Sequence, residues 1–288
     1  MFDRILFPTD GSEGADVVFD RVLDIAETHG STVHTLYVAD TTQDSVTRVE
    51  GDVVDVLERE GETIVEATAE RAAERGIPTV TDILQGGVAA TIDAYVGEYG
   101  IDLVAMPTRG RTGLERLLLG STTDRVLRES TVPVLTLDPA DGSTTYPAGG
   151  VLVPTDGSAG AEAALEFSAE LAAATGATLH VLCVVDESER TVESSADAGD
   201  GRASEVVEAA TSAAEDAGVA TVAGAVETAS SIRRAIESYT GTHDIDLVVM
   251  GARGRRGLER RLLGSVTERT VRSASVPVVT VPENRESR

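Results

Sequence analysis

Across 288 residues, acidic side chains outnumber basic ones 49 to 24 for a net charge of −25, and every basic residue is an arginine, because the sequence contains no lysine. A surface of that sign excludes general binding to nucleic acid or anionic membrane, whose phosphates it would repel. The single cysteine, Cys183 in the apolar run Leu179–Val185, excludes an internal disulfide and reads as a core thiol. No apolar run approaches the roughly 20 residues of a membrane span, and the opening residues lack the pattern of a signal peptide, so the expectation is a soluble cytoplasmic protein. Acid excess without lysine suits concentrated salt, where a Debye length of about 3 Å at 1 M removes most self-repulsion; the composition therefore points to a halophilic protein.

Taken in chain order, short apolar runs alternate with longer amphipathic ones. "RILF" (Arg4–Phe7) reads as a strand, and residues from Ser12 to about Thr28 carry Val18, Val22, Ile25 and Ala26 at helical spacing. "TVHTLYV" (Thr32–Val38) is the second strand. Ala39 to Glu50 reads as a solvated loop or a lid, Gly51 to Arg75 as a long helix, and "TVTDIL" (Thr79–Leu84) as the third strand. A helix from Val88 to Tyr99, the strand "DLVAM" (Asp102–Met106), a loop, a helix from Ser121 and the strand "VPVLTL" (Val132–Leu137) complete the unit.

The same order then runs again. "ILFPTDGS" (Ile5–Ser12) returns as "VLVPTDGS" (Val151–Ser158), shifted by 146 residues; "DLVAMPTRG" (Asp102–Gly110) returns as "DLVVMGARG" (Asp246–Gly254), and "VPVLTL" as "VPVVTV" (Val276–Val281), both shifted by 144. The loop "RGRTGLERLLLGS" (Arg109–Ser121) matches "RGRRGLERRLLGS" (Arg253–Ser265) at 11 of 13 positions. A period of that length is a tandem domain duplication rather than a solenoid. The predicted organisation is a first domain over 1–139, a linker over 140–149, a second domain over 150–282 and a tail over 283–288. Strands alternating with helices predict an α/β fold of two doubly wound (Rossmann-like) domains, each a five-stranded parallel sheet with helices on both faces. Asp186 to Gly201 reads as a second such segment, a solvated loop or a lid.

In such sheets ligands bind beyond the carboxyl ends of the strands, where the winding reverses. "PTDGS" follows the first strand of each unit, and "MPTRG" or "MGARG" follows the fourth, so both motifs are expected at one crevice. Gly254, nine intervening residues and Gly264-Ser265 place two permissive positions ahead of a helix, whose first N–H groups favour an anion. Ser265 with Glu268 also spells a capping box, a role compatible with phosphate binding. Asp10 and Asp156 either cap the following helix through an Asp-Gly-Ser turn or present a carboxylate to a ribose hydroxyl. Arg109, Arg111, Arg116, Arg253, Arg255 and Arg260 either serve phosphates or bridge to neighbouring acids. His34 and His180 occupy equivalent positions on the second strands and read as packed histidines rather than metal ligands. There is no lysine for a Walker-type contact and no compact catalytic constellation, so neither catalytic nor metal-ligating residues are assigned.

"PTDGS" after a first strand, M-G-x2-G-x9-G-S after a fourth and a final "VPV" strand resemble the universal stress protein family in its tandem, ATP-binding form, over Arg4 to Val281. The resemblance implies an adenine nucleotide alpha hydrolase-like fold and an ATP site in each domain, with Mg or Mn accompanying the phosphates. It implies that Pro8, Thr9 and Asp10, with Pro154, Thr155 and Asp156, line the adenosine, and that Val38 and Val184 contact adenine. Met250, Gly251, Arg253, Gly254, Gly264, Ser265 and Val266 would hold ribose and phosphates in the second domain; Met106, Gly110, Gly120, Ser121 and Thr122 are the first-domain counterparts. Pro107 stands where the second domain has Gly251, which removes an N–H and any left-handed backbone at that point and predicts a weaker first site. Partners other than the nucleotide would be an intramolecular pseudo-dimer formed through the "VPV" strands and a homodimer of whole chains. Slow ATP hydrolysis and a ligand-free scaffold are the competing functions.

Overall fold

The computed structural model describes residues 1–40, 46–49, 52–110, 119–140, 146–187, 196–254 and 262–283. It divides into two compact units, Phe2–Gly142 and Ser143–Arg288. In the first, β1 (Arg4–Thr9) leads into α1 (Glu13–His29) and β2 (Thr32–Asp40). A short antiparallel pair, β3 (Val46–Val49) and β4 (Asp52–Asp55), precedes α2 (Val56–Glu74). β5 (Thr79–Gly86), α3 (Val88–Tyr99), β6 (Leu103–Pro107), α4 (Ser121–Glu129) and β7 (Val134–Leu137) follow. The second unit runs β8 (Gly150–Pro154), α5 (Ala159–Thr175), β9 (Thr178–Asp186), α6 (Ala196–Asp216), β10 (Val222–Ala229), α7 (Ile232–Thr242), β11 (Leu247–Gly251), α8 (Ser265–Ser273) and β12 (Val278–Val281).

The first unit's five parallel strands lie in the order β7-β6-β1-β2-β5, and the second unit's in the equivalent order β12-β11-β8-β9-β10. The chain winds outward from β1 through β2 to β5, then returns to the other side of β1 for β6 and β7. The reversal therefore falls between β1 and β6, and between β8 and β11. The central strands are apolar on both faces: Ile5, Leu6 and Phe7 are fully buried, as are Val151, Leu152 and Val153. Each such Leu, Ile or Phe side chain contributes about 1.5–3 kcal/mol through burial.

A carboxylate at the amino end of each sheet fastens the strands on either side of the reversal. Asp102 Oδ2, just before β6, accepts the N–H groups of Asp3 and Arg4 at 2.9 Å each. Asp246 Oδ2 accepts those of Gly149 and Gly150 at 2.7 and 3.1 Å. The helices start and stop where local chemistry dictates. Ser12 Oγ accepts the Ala15 N–H at the start of α1, and Gly30, left-handed at φ 67°, ends it by donating to Ala26. Along α1 the buried set Ala15, Val18, Phe19, Val22, Leu23 and Ala26 forms the apolar stripe that packs on the sheet.

Three expectations change. The span from Ala39 to Glu50 is not all loop: β2 extends to Asp40, and Val46–Val49 pairs with Asp52–Asp55, so the following helix starts at Val56 rather than near Gly51. The β-branched runs "VTRV" and "DVV", two residues apart, carry that hairpin's signature. In the second unit, Ala196–Gly201 belongs to α6 rather than to a loop. Residues 41–45, 50–51, 188–195 and the stretch 141–145 of the expected linker lie outside the described residues.

Candidate functional site

The turn after each first strand is held by its own side chains. In the second unit Thr155 Oγ1 accepts the Gly157 N–H at 3.1 Å, Asp156 Oδ1 accepts the Ser158 N–H at 3.0 Å, and Ser158 Oγ accepts the Ala161 N–H at 3.3 Å. Gly157 supplies the left-handed residue, φ 69°. The first unit repeats these contacts with Thr9, Asp10 and Ser12 at 3.1, 3.0 and 3.2 Å. The helix cap is thus the serine, and the aspartate holds the turn with one oxygen while its other oxygen faces the second motif.

That second motif arrives from across the strand reversal. A Cβ placed on Gly254 would lie 3.0 Å from Asp156 Oδ2, and one on Gly110 would lie 2.6 Å from Asp10 Oδ2. The "PTDGS" and "MGARG" segments, nearly a hundred residues apart in sequence, therefore meet side chain against bare backbone. The loop then returns to the strand end to launch α8. Ala252 N–H donates to Val281 at 2.8 Å, Gly264 N–H donates to Ala252 at 2.8 Å, and Thr267 Oγ1 donates to the Gly251 carbonyl at 2.9 Å. The counterparts are Thr108 to Leu137 at 2.8 Å, Gly120 to Thr108 at 2.9 Å and Thr123 to Pro107 at 3.0 Å.

The cap residues of α8 and α4 are Gly264 and Gly120, neither with a side-chain cap bond. The first helical bonds are Glu268 N–H to Gly264 and Asp124 N–H to Gly120, both at 2.8 Å, so amides 265–267 and 121–123 precede the ladder. This corrects the capping-box reading. Ser265 is the first helical residue, and the Glu268 carboxylate accepts from Arg272 at 2.9 Å instead of reaching back. Asp124 is engaged in the same way by two 2.9 Å bonds from Arg128. Each first-turn carboxylate thus faces an arginine one turn on, which offsets its repulsion of an anion at the helix end.

Of the arginines, Arg109 pairs with Asp138, and Arg253 lies 4.0 Å from Glu283; both bridge to acids. Arg111, Arg116, Arg255 and Arg260 lie outside the described residues. Val38 and Val184 sit half-buried near the carboxyl ends of β2 and β9, beside the ends of β1 and β8. Pro8, Thr9, Met106, Met250 and Gly251 are buried, and Pro154 and Thr155 half-buried; Ser121, Ser265, Gly110 and Gly254 are exposed, and Thr122 and Val266 half-buried.

Gly251 is not there for a left-handed backbone, since its φ lies outside that region. It is there for contact. A Cβ on Gly251 would lie 2.4 Å from the Gly160 carbonyl oxygen, and one on Gly160 would lie 2.2 Å from the Arg253 carbonyl oxygen. In the first unit, where Pro107 stands in place of Gly251, a Cβ on Gly14 would lie 3.6 Å from the corresponding Arg109 oxygen. Proline therefore removes one N–H, and in this unit the loop lies further from α1, while the hydrogen bonds that launch α4 persist. The fastening carboxylates Asp102 and Asp246 stood in the repeated "DLV" segments, but their task depends on strand adjacency and so escaped the sequence reading.

Two tandem Rossmann-like α/β units, each bringing an aspartate turn against a glycine loop at the strand reversal, define a class of duplicated α/β proteins. The chain belongs to the universal stress protein family, whose model matches residues 1–137 and 149–282. It is 32% identical over 138 residues to universal stress protein MJ0531 of Methanocaldococcus jannaschii, covering 47% of this chain and 81% of the relative. It is 27% identical over 301 residues to universal stress protein Slr1230 of Synechocystis, covering 96% and 99% of the two chains. The crystal structure of a universal stress protein from Archaeoglobus fulgidus shares the fold with a TM-score of 0.77 at 23% identity, covering 98% of this chain and 99% of that one.

Proposed function

We propose that this universal stress protein binds ATP in the crevice at the strand reversal, in sheets that are doubly wound and adenine nucleotide alpha hydrolase-like, and acts as a regulatory nucleotide-binding protein. The observation that carries the reading is the approach of Asp156 to Gly254 beside the bare, glycine-led start of α8. Absent side chains at Gly254 and Gly264 leave backbone N–H groups open to a phosphate, and the helix start favours its charge. Asp156 Oδ2 would accept from a ribose hydroxyl, and Val184 would cover the base. Ser265 and Val266 would present the amides that meet the phosphates. Pro8, Thr9, Asp10, Val38, Met106, Gly110, Gly120, Ser121 and Thr122 would form the equivalent first site, which we propose is the weaker because Pro107 lacks an N–H and the loop there lies further from α1.

Among the described residues no group of three or more His, Cys, Asp or Glu is arranged to hold a metal. A Mg or Mn ion entering with the nucleotide would take its ligands chiefly from phosphate and water, as Mg characteristically does. The acidic, lysine-free surface fits work at high salt, and among the described residues no helix is long and apolar enough to cross a membrane.

Calorimetric titration of ATP at molar KCl tests the reading, with Gly264→Val as the comparison. Gly264 has φ −59° and ψ 137°, open to any residue, and a Cβ there meets nothing closer than 3.4 Å, so the variant keeps its fold. Its branched side chain fills the phosphate position, and the tighter of two binding events should disappear. No binding to the wild type across salts and metals would leave the ligand-free scaffold.

A further inference from the structure

The first unit contains a chain of titratable groups, His34 and Tyr95 buried and Asp82 half-buried, that the nucleotide site does not use. Tyr95 on α3 donates its hydroxyl proton to Asp82 Oδ2 on β5 at 2.6 Å, and His34 Nδ1 on β2 lies 3.0 Å from the same hydroxyl. A phenol has one proton, and here the carboxylate takes it, so the hydroxyl oxygen can only accept from the imidazole. The geometry therefore assigns His34 the tautomer with hydrogen on Nδ1. The chain Asp82, Tyr95, His34 runs in one direction and ties edge strand β5 through α3 to β2.

Charges face it from every side. Arg4 on β1 donates to the Tyr99 carbonyl at 2.9 Å, and its backbone N–H is held by Asp102. Tyr99 stacks on Tyr95 with ring centroids 4.1 Å apart, and Glu98 adds a negative charge on α3. His34 is only 5% exposed, and its pKa is lowered, first by burial and then by Arg4, while Asp82 pulls the other way. Burial, aided by the bond to Asp82, raises the Tyr95 pKa, so the phenol keeps the proton it donates.

The second unit keeps the histidine and the tyrosine but lacks the aspartate and the arginine, while burial and His243 lower the His180 pKa. His180 Nδ1 lies 3.1 Å from the Tyr239 hydroxyl. Register places Ala225 opposite Leu182, as Asp82 is opposite Leu36, and the repeat puts Gly150 where Arg4 stands. His243 replaces Tyr99 and stacks on Tyr239 at 3.8 Å, with Glu227 the acid that raises the Tyr239 pKa after burial. Among the described residues no carboxylate accepts the Tyr239 hydroxyl proton as Asp82 accepts that of Tyr95.

We propose that the Asp82, Tyr95, His34 chain is a proton-linked clasp that holds β5 and α3 on the sheet of the first unit at neutral pH and opens in mild acid. Adding a proton at His34 puts a second positive charge beside Arg4 in a closed site, and the relief is to part α3 from β2. The second unit, without Arg4 and Asp82, responds less.

The test uses the full chain and the side-chain nitrogens of His34 and His180, followed by NMR at about pH 7.5 and about pH 5.5, a unit either side of the ordinary histidine value of ~6.5. His34 should carry its neutral-state proton on Nδ1. Amide protection in 79–86 and 88–99 should fall several-fold further on acidification than in 222–229 and 232–242. Tyr95→Phe should remove that difference. Should that variant fail to fold, Ala225→Asp asks the converse: it should move His180 to the Nδ1–H form and raise its pKa. A neutral His34 protonated on Nε2, equal acid loosening of the two units, or an unchanged His180 tautomer in Ala225→Asp would overturn the proposal.

Discussion

Replacing Gly160 by alanine, and Gly14 by alanine in parallel, separates the two loops by a single methyl group. At Gly160 the new Cβ falls 2.2 Å from the Arg253 carbonyl oxygen and 3.2 Å from its carbon, both backbone atoms of the loop that meets Asp156. Neither side can rotate away, so helix α5 and the loop must part, an overpacking cost of about 1–3 kcal/mol. At Gly14 the nearest atoms are Pro139 Cγ at 3.0 Å and Cβ at 3.4 Å, a ring that can yield by a few tenths of an ångström, with the Arg109 oxygen at 3.6 Å. There the helix gains from losing a glycine, by roughly 0.5–1 kcal/mol, and the net change should lie near zero or slightly favourable. Urea-dependent amide exchange reports each unit separately, through β8 and β11 against β1 and β6. We expect Gly160→Ala to destabilise the second unit alone and to weaken ATP binding there, and Gly14→Ala to do neither. Equal effects within about 0.5 kcal/mol, the usual scale of uncoupled surface changes, would refute the argument that Gly251 and Gly160 exist for mutual approach.

Acid should destabilise the protein from the histidines inward. His29, His34 and His180 all have folded-state pKa values lowered chiefly by burial, so the unfolded chain binds more protons. Stability should therefore hold above about pH 6.5 and fall as pH drops below that value toward the folded-state pKa values, which chemical denaturation across that range checks. Ser158→Ala removes the cap bond to Ala161 and should cost about 1 kcal/mol in the second unit, read by thermal unfolding, whereas Ser265→Ala, which carries no cap bond, should change stability by less than about 0.5 kcal/mol. Raising KCl from about 0.1 M toward about 1 M shortens the Debye length from ~10 to ~3 Å and should raise the melting temperature, since like-sign repulsion at a net charge of −25 outweighs the exposed Arg71 and Arg75 ion pairs; a falling melting temperature would reverse that ranking.

The elements that could be read from sequence were those with strong local signals. The strand Arg4–Phe7 and the helix Val88–Tyr99 carry their own periodicity, and the repeat placed equivalent residues in equivalent roles. Turn chemistry at Asp10 and Asp156 was legible because Asp-Gly-Ser closes on itself within three residues. What escaped depends on neighbours distant in the chain. Gly251 looked like a conformational glycine until Gly160 appeared against it. Ser265 and Glu268 spelled a capping box, but Arg272 one turn on gave the carboxylate a charged partner, and Gly264 took the cap. The Asp82, Tyr95, His34 chain requires the register of β2 with β5, which no local pattern contains.

The proposed phosphate site is the glycine-led start of α8, faced by Asp156. It is tested most directly by titrating ATP into isotopically labelled protein at molar KCl and following the backbone amides. Gly254, Ser265 and Val266 should shift first and furthest, with Val184 following as the base seats, while Gly110, Ser121 and Thr122 should respond only at higher nucleotide concentration. Shifts confined to surfaces away from these amides, or none at saturating ATP, would contradict it.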